Sequence, residues 1–538
     1  MQKLVLLGDE AIAQGAIDAG LTAIYAYPGT PSTEITEYAI RSKEARNGQI
    51  TAQWTANEKT ALEAAIGVSY AGKRAMACMK HVGLNVAADP FMNSAITGVN
   101  GGLVIVSADD PSMHSSQNEQ DSRFFGKFAQ MPVLEPVNQQ EAYDMMAYAF
   151  DLSERLNIPV LMRITTRLAH SRAGVQCVSE KRQQNSFGLP KDSRQFVLLP
   201  SIARRNYKML LNNWPLIEQE SEISGFNEYI DGTDKSLGII ATGIAFNYLM
   251  ENFENRVIPF PVVRISQYPE PTEMIRKLYD SVDKILILEE GYPMIEDRLK
   301  GTLNTGKTIH GRLDGTISRD GELNPTIIAK ALNKHIPETL PPSDVVVSRP
   351  PALCAGCPHI DSYNALNEAL AEAGQGHVLA DIGCYTLGAL EPFMAVNSCV
   401  DMGASITMAK GAADAGLHPA VAVIGDSTFT HSGMTGLLDA IIHQTPITVV
   451  ILDNGTTGMT GGQPSEATGR LEDICLGLGV EKDHIHVLNP IKKYHDENVA
   501  IIKKEFDYQG VSVIIPRREC IVTLNARLRH IKAQKAKS

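Results

Sequence analysis

No stretch of about 18 apolar residues occurs in the 538-residue chain, so no transmembrane helix is expected. The start, MQKLVLLGDEAIAQG, has only a short apolar run and no cleavage site, and reads as a strand rather than a signal peptide. Positive charge is also short: a net charge of -12 argues against nucleic acid and anionic membrane as partners. Cysteine is sparse and uneven, at Cys78, Cys177, Cys354, Cys357, Cys384, Cys399, Cys475 and Cys520. In a large chain of cytoplasmic character, a C-x-x-C pair signals metal or redox chemistry rather than a structural disulfide. The second C-x-x-C or the histidine pair of a zinc ribbon is missing.

What is there is an ordinary apolar content and plentiful glycine, as in α/β proteins, over a length that predicts about three to four domains. Short apolar runs at Lys3 to Leu7, Leu21 to Tyr27, Ala75 to Met79, Leu103 to Ser107 and Ile158 to Arg163 alternate with helical stretches. They predict a parallel sheet covered on both faces, in a first domain over residues 1–175. A polar linker follows, from about Gln176 to Val197. A smaller α/β domain over residues 198–336 has strands at Ser236 to Thr242, Val262 to Ile265 and Lys284 to Leu288. Glu289-Glu290 after the last of these reads as a turn with solvated acids. Pro337 to Pro351, with five prolines, reads as a second linker. A third domain over residues 352–525 precedes a basic tail, 526–538.

The third domain holds the most informative stretch, Val421 to Gln463. One apolar run ends at Gly425-Asp426-Ser427, a helix follows, and a second run ends at Asp453-Asn454-Gly455. In a βαβ unit both strand ends face the ligand crevice. Gly425 lets a backbone approach a phosphate, Asp426 is a hard oxygen ligand, and Asn454 and the carbonyl of Thr456 add two more. Magnesium takes a few protein oxygens and completes its octahedron with substrate phosphates, so the unit reads as a magnesium diphosphate site.

Other stretches carry polar residues at strand or helix ends. In Tyr27-Pro28-Gly29-Thr30-Pro31-Ser32-Thr33-Glu34, Thr30 or Ser32 either caps the next helix or contacts a substrate. Glu58 lies at a helix start, where the helix dipole favours an acid in any case. Lys80 and His81 open another helix, a place for a carboxylate; His81 reads equally as a surface histidine. His114 to Arg123 lacks any apolar residue and reads as a loop, either solvated or part of an active site. Cys354 and Cys357 alone suit zinc or a redox pair. Cys384 and Cys520 fall just past predicted strand ends, and four thiolates at one sheet edge suit an iron-sulfur cluster. The remaining four cysteines read as buried or incidental thiols.

Gly425-Asp426-Ser427, a helix and then Asn454 resemble the cofactor motif of thiamine diphosphate enzymes, which usually have Gly-Asp-Gly. Together with Tyr27 to Pro31, Glu58, Leu353 to His359, Asp381 to Leu387 and Met402-Gly403-Ala404-Ser405, the pattern resembles the 2-oxoacid:ferredoxin oxidoreductases, most of all the large (α) subunits of the indolepyruvate branch. The resemblance implies three doubly wound domains. Two have the thiamine diphosphate-binding fold, one for the pyrimidine and one for the diphosphate, and they flank a transketolase C-terminal-like domain.

The same resemblance implies that Glu58, nine residues before Gly67, hydrogen-bonds the aminopyrimidine ring and activates the cofactor. It further implies Met402 as the apolar wedge beside Gly403, and Cys354, Cys357, Cys384 and Cys520 as ligands of one 4Fe-4S cluster. The activity implied is oxidative decarboxylation of aryl 2-oxoacids to acyl-coenzyme A, with electrons passed to ferredoxin and a smaller β subunit as partner. Lys80, His81 and His431 are then candidates for holding the substrate carboxylate or moving protons, and Thr30 for substrate contact. Such α subunits commonly end in a ferredoxin-like domain with C-x-x-C-x-x-C-x-x-x-C-P runs; this sequence has none, so a separate acceptor is expected. A non-oxidative decarboxylase needs the same Glu58, Asp426 and Asn454 without a cluster, and a cofactor-binding scaffold inert without its partner is the other alternative.

Overall fold

The computed structural model describes residues 2–192, 194–304, 306–336, 343–347 and 350–535. The chain forms two compact units, Met1–Leu340 and Pro341–Ser538. The first carries two mostly parallel sheets. Its seven-stranded sheet runs in the order Gln267–Tyr268, Val133–Leu134, Val160–Thr165, Leu103–Asp109, Ala75–Lys80, Ala23–Ala26, Thr51–Trp54. Only the Gln267–Tyr268 edge is antiparallel. Leu103–Asp109 and Val160–Thr165 are buried at every position, and for that reason they read as runs rather than alternations.

Two strands differ from expectation. Gln2–Leu7 is a strand but lies outside the parallel sheet, pairing antiparallel with Arg172–Cys177 in a two-stranded ribbon. Its exposed Lys3 and Val5 share one wet face, unlike a central parallel strand. Thr51–Trp54 is a half-exposed edge strand whose short, mixed sequence carries no apolar run.

The five-stranded second sheet runs Thr308–His310, Lys284–Leu288, Gly238–Thr242, Val262–Ile265, Glu228–Ile230, with only the last strand antiparallel. The chain leaves Val262–Ile265 and, after Ser266, pairs Gln267–Tyr268 with Val133–Leu134 of the first sheet. One apolar core therefore runs through both sheets. Glu289 and Glu290 are not solvated: they are 2% and 1% exposed. Burial pushes both carboxyls up to about 7; the Arg123 guanidinium, 3.0 Å from Glu289, pulls the other way. Arg123 itself opens the helix Arg123–Ala129 and is buried, so the polar run from His114 ends in the core rather than in solvent.

The second unit is built on five parallel strands in the order Val378–Ala380, Val421–Gly425, Ile447–Leu452, Val511–Pro516, Ile485–Leu488. Val421 and Val423 face one apolar cluster and Ala422 and Ile424 the other, so helices cover both faces. Replacing Ile424, which is fully buried, by Ala would cost about 2–5 kcal/mol. The basic tail falls in the helix Ile521–Lys535, which begins before residue 526. Residues 337–342, 348 and 349 of the proline-rich stretch, and 536–538 of the tail, lie outside the described residues. Among the described residues no helix is long and apolar enough to cross a membrane.

Candidate functional site

In the first unit the polar residues gather beyond the strand Ala75–Lys80. Glu58 is the first residue of the helix Glu58–Tyr70, capped by Asn57, whose side chain accepts from the Thr60 N–H at 2.9 Å. Glu58 is 5% exposed, whereas Glu63 is exposed and pairs with Lys59 on the outer face. The Glu58 carboxylate lies against Gly83: a Cβ there would sit 2.5 Å from Oε1, so only glycine admits the acid. Nothing crowds Gly67 within 4 Å, so spacing and not sterics singles it out.

Lys80 is near the same acid. Burial lowers its ammonium to about 8, and the charges of Asp110 and Glu58 offset part of that. Its Nζ donates to the Ser115 carbonyl at 2.8 Å. His81 is 1% exposed, so the surface reading is corrected. Its Nε2 lies 3.1 Å from the Asn118 carbonyl, an acceptor to which it donates, and its buried Nδ1 has no hydrogen-bond partner. Thr30 makes no cap: Ser32 Oγ donates to the Gly29 carbonyl at 2.7 Å, Thr33 Oγ1 accepts from Gly29 N–H, and the Thr30 carbonyl accepts from Ser115 Oγ. The segment from Ser115 to Asn118 is thus seated on Thr30, Lys80 and His81, and is an ordered part of that corner.

In the second unit four neighbouring strand ends supply the site. Asp426 follows Val421–Gly425, is 2% exposed, and its Oδ2 has no partner. Burial, with Asp453 close by, raises its carboxyl to about 7; the Ser465 hydroxyl offsets part of this. Asp453 is matched instead, with Arg517 Nε at 2.5 Å. Asn454 Oδ1 accepts from Thr456 N–H at 3.0 Å, and Thr457 Oγ1 donates to Ser427 Oγ at 3.0 Å. A bare buried carboxylate oxygen beside amide and hydroxyl oxygens is a donor set for a hard cation. At Gly425 a Cβ would meet Tyr385 Cε1 at 2.6 Å, so the close approach of this ring also calls for glycine there. Met402-Gly403 forms the turn before the helix Ala404–Asp414; Gly403, at φ 91°, backs onto Ser432, whose Oγ is 2.6 Å from Nδ1 of buried His431.

The four thiols expected together are neighbours. Cys357 N-caps the helix Pro358–Ala369 and its N–H donates to the Cys354 carbonyl at 2.9 Å; the Cys520 N–H donates to the Asn454 carbonyl at 3.1 Å. Burial, then the charges of Cys357, Cys520, Asp426 and Cys354, push Cys384 up to about 12; burial, with Cys354 and Cys520, takes Cys357 to about 11. Among the described residues, no three of the four thiols offer sulfurs within 4.8 Å of one another. A tetrahedral zinc with Zn–S bonds of about 2.3 Å would demand that, and a larger cluster would not. Of the other four, Cys78, Cys177 and Cys475 are buried and Cys399 is exposed.

His359 is what sequence reasoning missed. It is 2% exposed, and burial lowers its imidazole to about 4, so it is neutral. Its Nε2 is 3.4 Å from Cys384 Sγ and 3.2 Å from Asn454 Nδ2, between the thiols and the oxygen donors. Its only signal is its place directly after C-x-x-C-P. Asp381 is a second omission: burial raises it to about 6, and it holds Tyr385 and Ser405 Oγ, the latter at 2.6 Å.

Residues 14–204 match the family model described as "Pyruvate flavodoxin/ferredoxin oxidoreductase, thiamine diP-bdg", and residues 381–514 match "Thiamine pyrophosphate enzyme, C-terminal TPP binding domain". The indolepyruvate oxidoreductase subunit IorA of Archaeoglobus fulgidus is 39% identical over 97% of this chain and 87% of its own length. The chain belongs to the IorA family. The family member of Methanothermobacter thermautotrophicus is 37% identical, over 97% of this chain and 88% of its own. Among solved structures, the 2-oxoglutarate:ferredoxin oxidoreductase of Magnetococcus marinus, with 2-oxoglutarate, coenzyme A and succinyl-CoA bound, is similar at TM-score 0.50 and 15% identity. That match covers 62% of this chain and 65% of the other, and it establishes likeness of fold. The IorA family is thus an α/β family whose thiamine diphosphate-binding domains lie in both units of this chain.

Proposed function

We propose that the chain is the catalytic α subunit of an indolepyruvate ferredoxin oxidoreductase, a thiamine diphosphate enzyme that oxidatively decarboxylates aryl 2-oxoacids to acyl-coenzyme A and carbon dioxide. The observation that carries the reading is the buried, partnerless Asp426 Oδ2 at a strand end whose neighbours bring Asn454 and four thiols. In this reading Asp426, Asn454 and the Thr456 carbonyl hold Mg2+, and Gly425 and Ser427 line the diphosphate. Cys354, Cys357, Cys384 and Cys520 hold one 4Fe-4S cluster. When bound, thiamine diphosphate supplies the electron sink for carbon dioxide loss and the cluster takes electrons singly.

The chain's own groups do the rest. Glu58 holds a proton against a pyrimidine nitrogen, in a pocket that Gly83 leaves open to it. Lys80 pairs with the substrate carboxylate beside Thr30. His81 Nδ1, bare and buried, accepts a hydrogen bond or proton, and His431 is a second proton carrier beside the Met402-Gly403 turn. Residues 1–175, 198–336 and 352–525 are a pyrimidine domain, a transketolase C-terminal-like domain and a diphosphate domain. A smaller β subunit, ferredoxin and coenzyme A are the partners, and the setting is cytoplasmic.

Anaerobic co-purification with the partner subunit tests this. About four iron and four sulfide per chain are expected, lost in Cys354→Ser or Cys520→Ser. Glu58→Gln is expected to lower indolepyruvate- and coenzyme A-dependent reduction of a ferredoxin about 10²–10⁴-fold while the cluster stays. Bound thiamine diphosphate without iron would overturn the oxidative reading in favour of a non-oxidative decarboxylase.

A further inference from the structure

Asp9 stands away from the residues discussed so far. It sits in the first turn of the helix Gly8–Asp18, is 0% exposed, and neither carboxylate oxygen has a hydrogen-bond partner. Burial, then the like charges of Glu34 and Glu10, hold it well above the usual carboxylate range. Protonation alone does not satisfy it, because a neutral carboxyl would still lack an acceptor for its O–H.

Two other elements bring ligands to it. The helix Thr166–His170 lies directly on the start of Gly8–Asp18: a Cβ on Gly8 would be 2.3 Å from the Leu168 carbonyl oxygen. That close approach carries His170 over Asp9. Glu34 enters from the first turn of Thr33–Arg41, with Oε2 3.4 Å from His170 Nε2. One ligand atom from each of Asp9, Glu34 and His170 lies within 4.8 Å of the others. A Glu34–His170 ion pair by itself leaves Asp9 uncompensated.

We propose that Asp9, Glu34 and His170 form a binding site for one divalent cation of the manganese–iron–zinc class. The imidazole disfavours magnesium and calcium, and two carboxylates with one imidazole suit first-row metals of mixed N/O preference. The His170 and Glu34 side chains are 34% and 38% exposed, so the cation enters from their side and keeps water there, while Asp9 closes the inner face. The bound ion would tie the helix that follows the Thr30 loop to two other helices of the first unit. This inference does not depend on the cofactor reading above.

The test uses the full-length chain, stripped of thiamine diphosphate and divalent metal, with Mn2+ as probe. One tightly held Mn2+ with nitrogen coupling from a single imidazole is expected in electron spin echo spectra. His170→Ala should abolish that coupling and weaken binding by at least about tenfold, and Glu34→Gln should weaken it similarly. Saturating Mn2+ should raise Tm in the wild type and not in His170→Ala. Asp9→Asn should behave like His170→Ala; if it does not fold, His170→Ala at the open rim decides alone. No bound Mn2+ at millimolar concentration, or coupling and affinity unchanged in His170→Ala, would overturn the proposal.

Discussion

Arg163, within the strand Val160–Thr165, and Asp426, just past Val421–Gly425, are both buried ionisable side chains on parallel sheets, and their surroundings treat them oppositely. Arg163 is fully buried, with Asp109 at 2.6 Å and Glu135 also paired to it; Arg123 meets Asp121 at 2.5 Å and Glu289 at 3.0 Å, and Tyr268 donates to Glu135 at 2.6 Å. This network in the first unit is closed on itself. At the strand ends of the second unit, Asp426 Oδ2 is bare, His359 is neutral, and burial pushes the Cys384 thiol up to about 12. A buried polar network that satisfies itself holds sheets together; one that does not is waiting for something to bind.

Three changes would break or sharpen this contrast. The largest effect is expected for Arg163→Met, which strands Asp109 and Glu135 without a cation and should lower the stability of the first unit by about 3–5 kcal/mol, read from urea midpoints. Adding Asp109→Asn and Glu135→Gln should recover part of the loss.

Next comes acid. The folded pKa of His359, about 4, lies below the ordinary value of 6.5, so the unfolded chain binds the proton first. Stability present above pH 6.5 is therefore lost as pH falls toward 4, by up to ~3 kcal/mol relative to His359→Gln. Urea melts of both proteins between pH 7 and 4 check this, and a difference that stays constant would refute it.

The smallest change is Asp426→Asn. It removes an uncompensated buried charge, so Tm without cofactor should hold or rise, while affinity for thiamine diphosphate with Mg2+ falls by roughly 10–100-fold. A fall in cofactor-free Tm would place Asp426 in the same class as Arg163.

The closed network was the less legible of the two. Ile447–Leu452 and Val262–Ile265 stand in the structure where their apolar runs placed them, because a strand with most of its residues buried must be largely apolar. Asp426, Asn454 and the C-x-x-C pair could be singled out because each follows such a run or repeats at a short spacing. Arg123, Arg163 and Glu289 come from separate parts of the chain and pair only through the fold, so nothing local separates them from solvated charges. Gly425 shows the complementary limit: its glycine was legible, but the Tyr385 ring that requires it was not.

The two-residue strand Gln267–Tyr268 also sets an order of events during synthesis. Val133–Leu134 and the Glu135 carboxylate leave the ribosome well before the residues that cover them. At typical elongation rates the nascent first sheet carries an open edge for on the order of ten seconds, an interval in which a holding chaperone or a paired neighbour would have most to do.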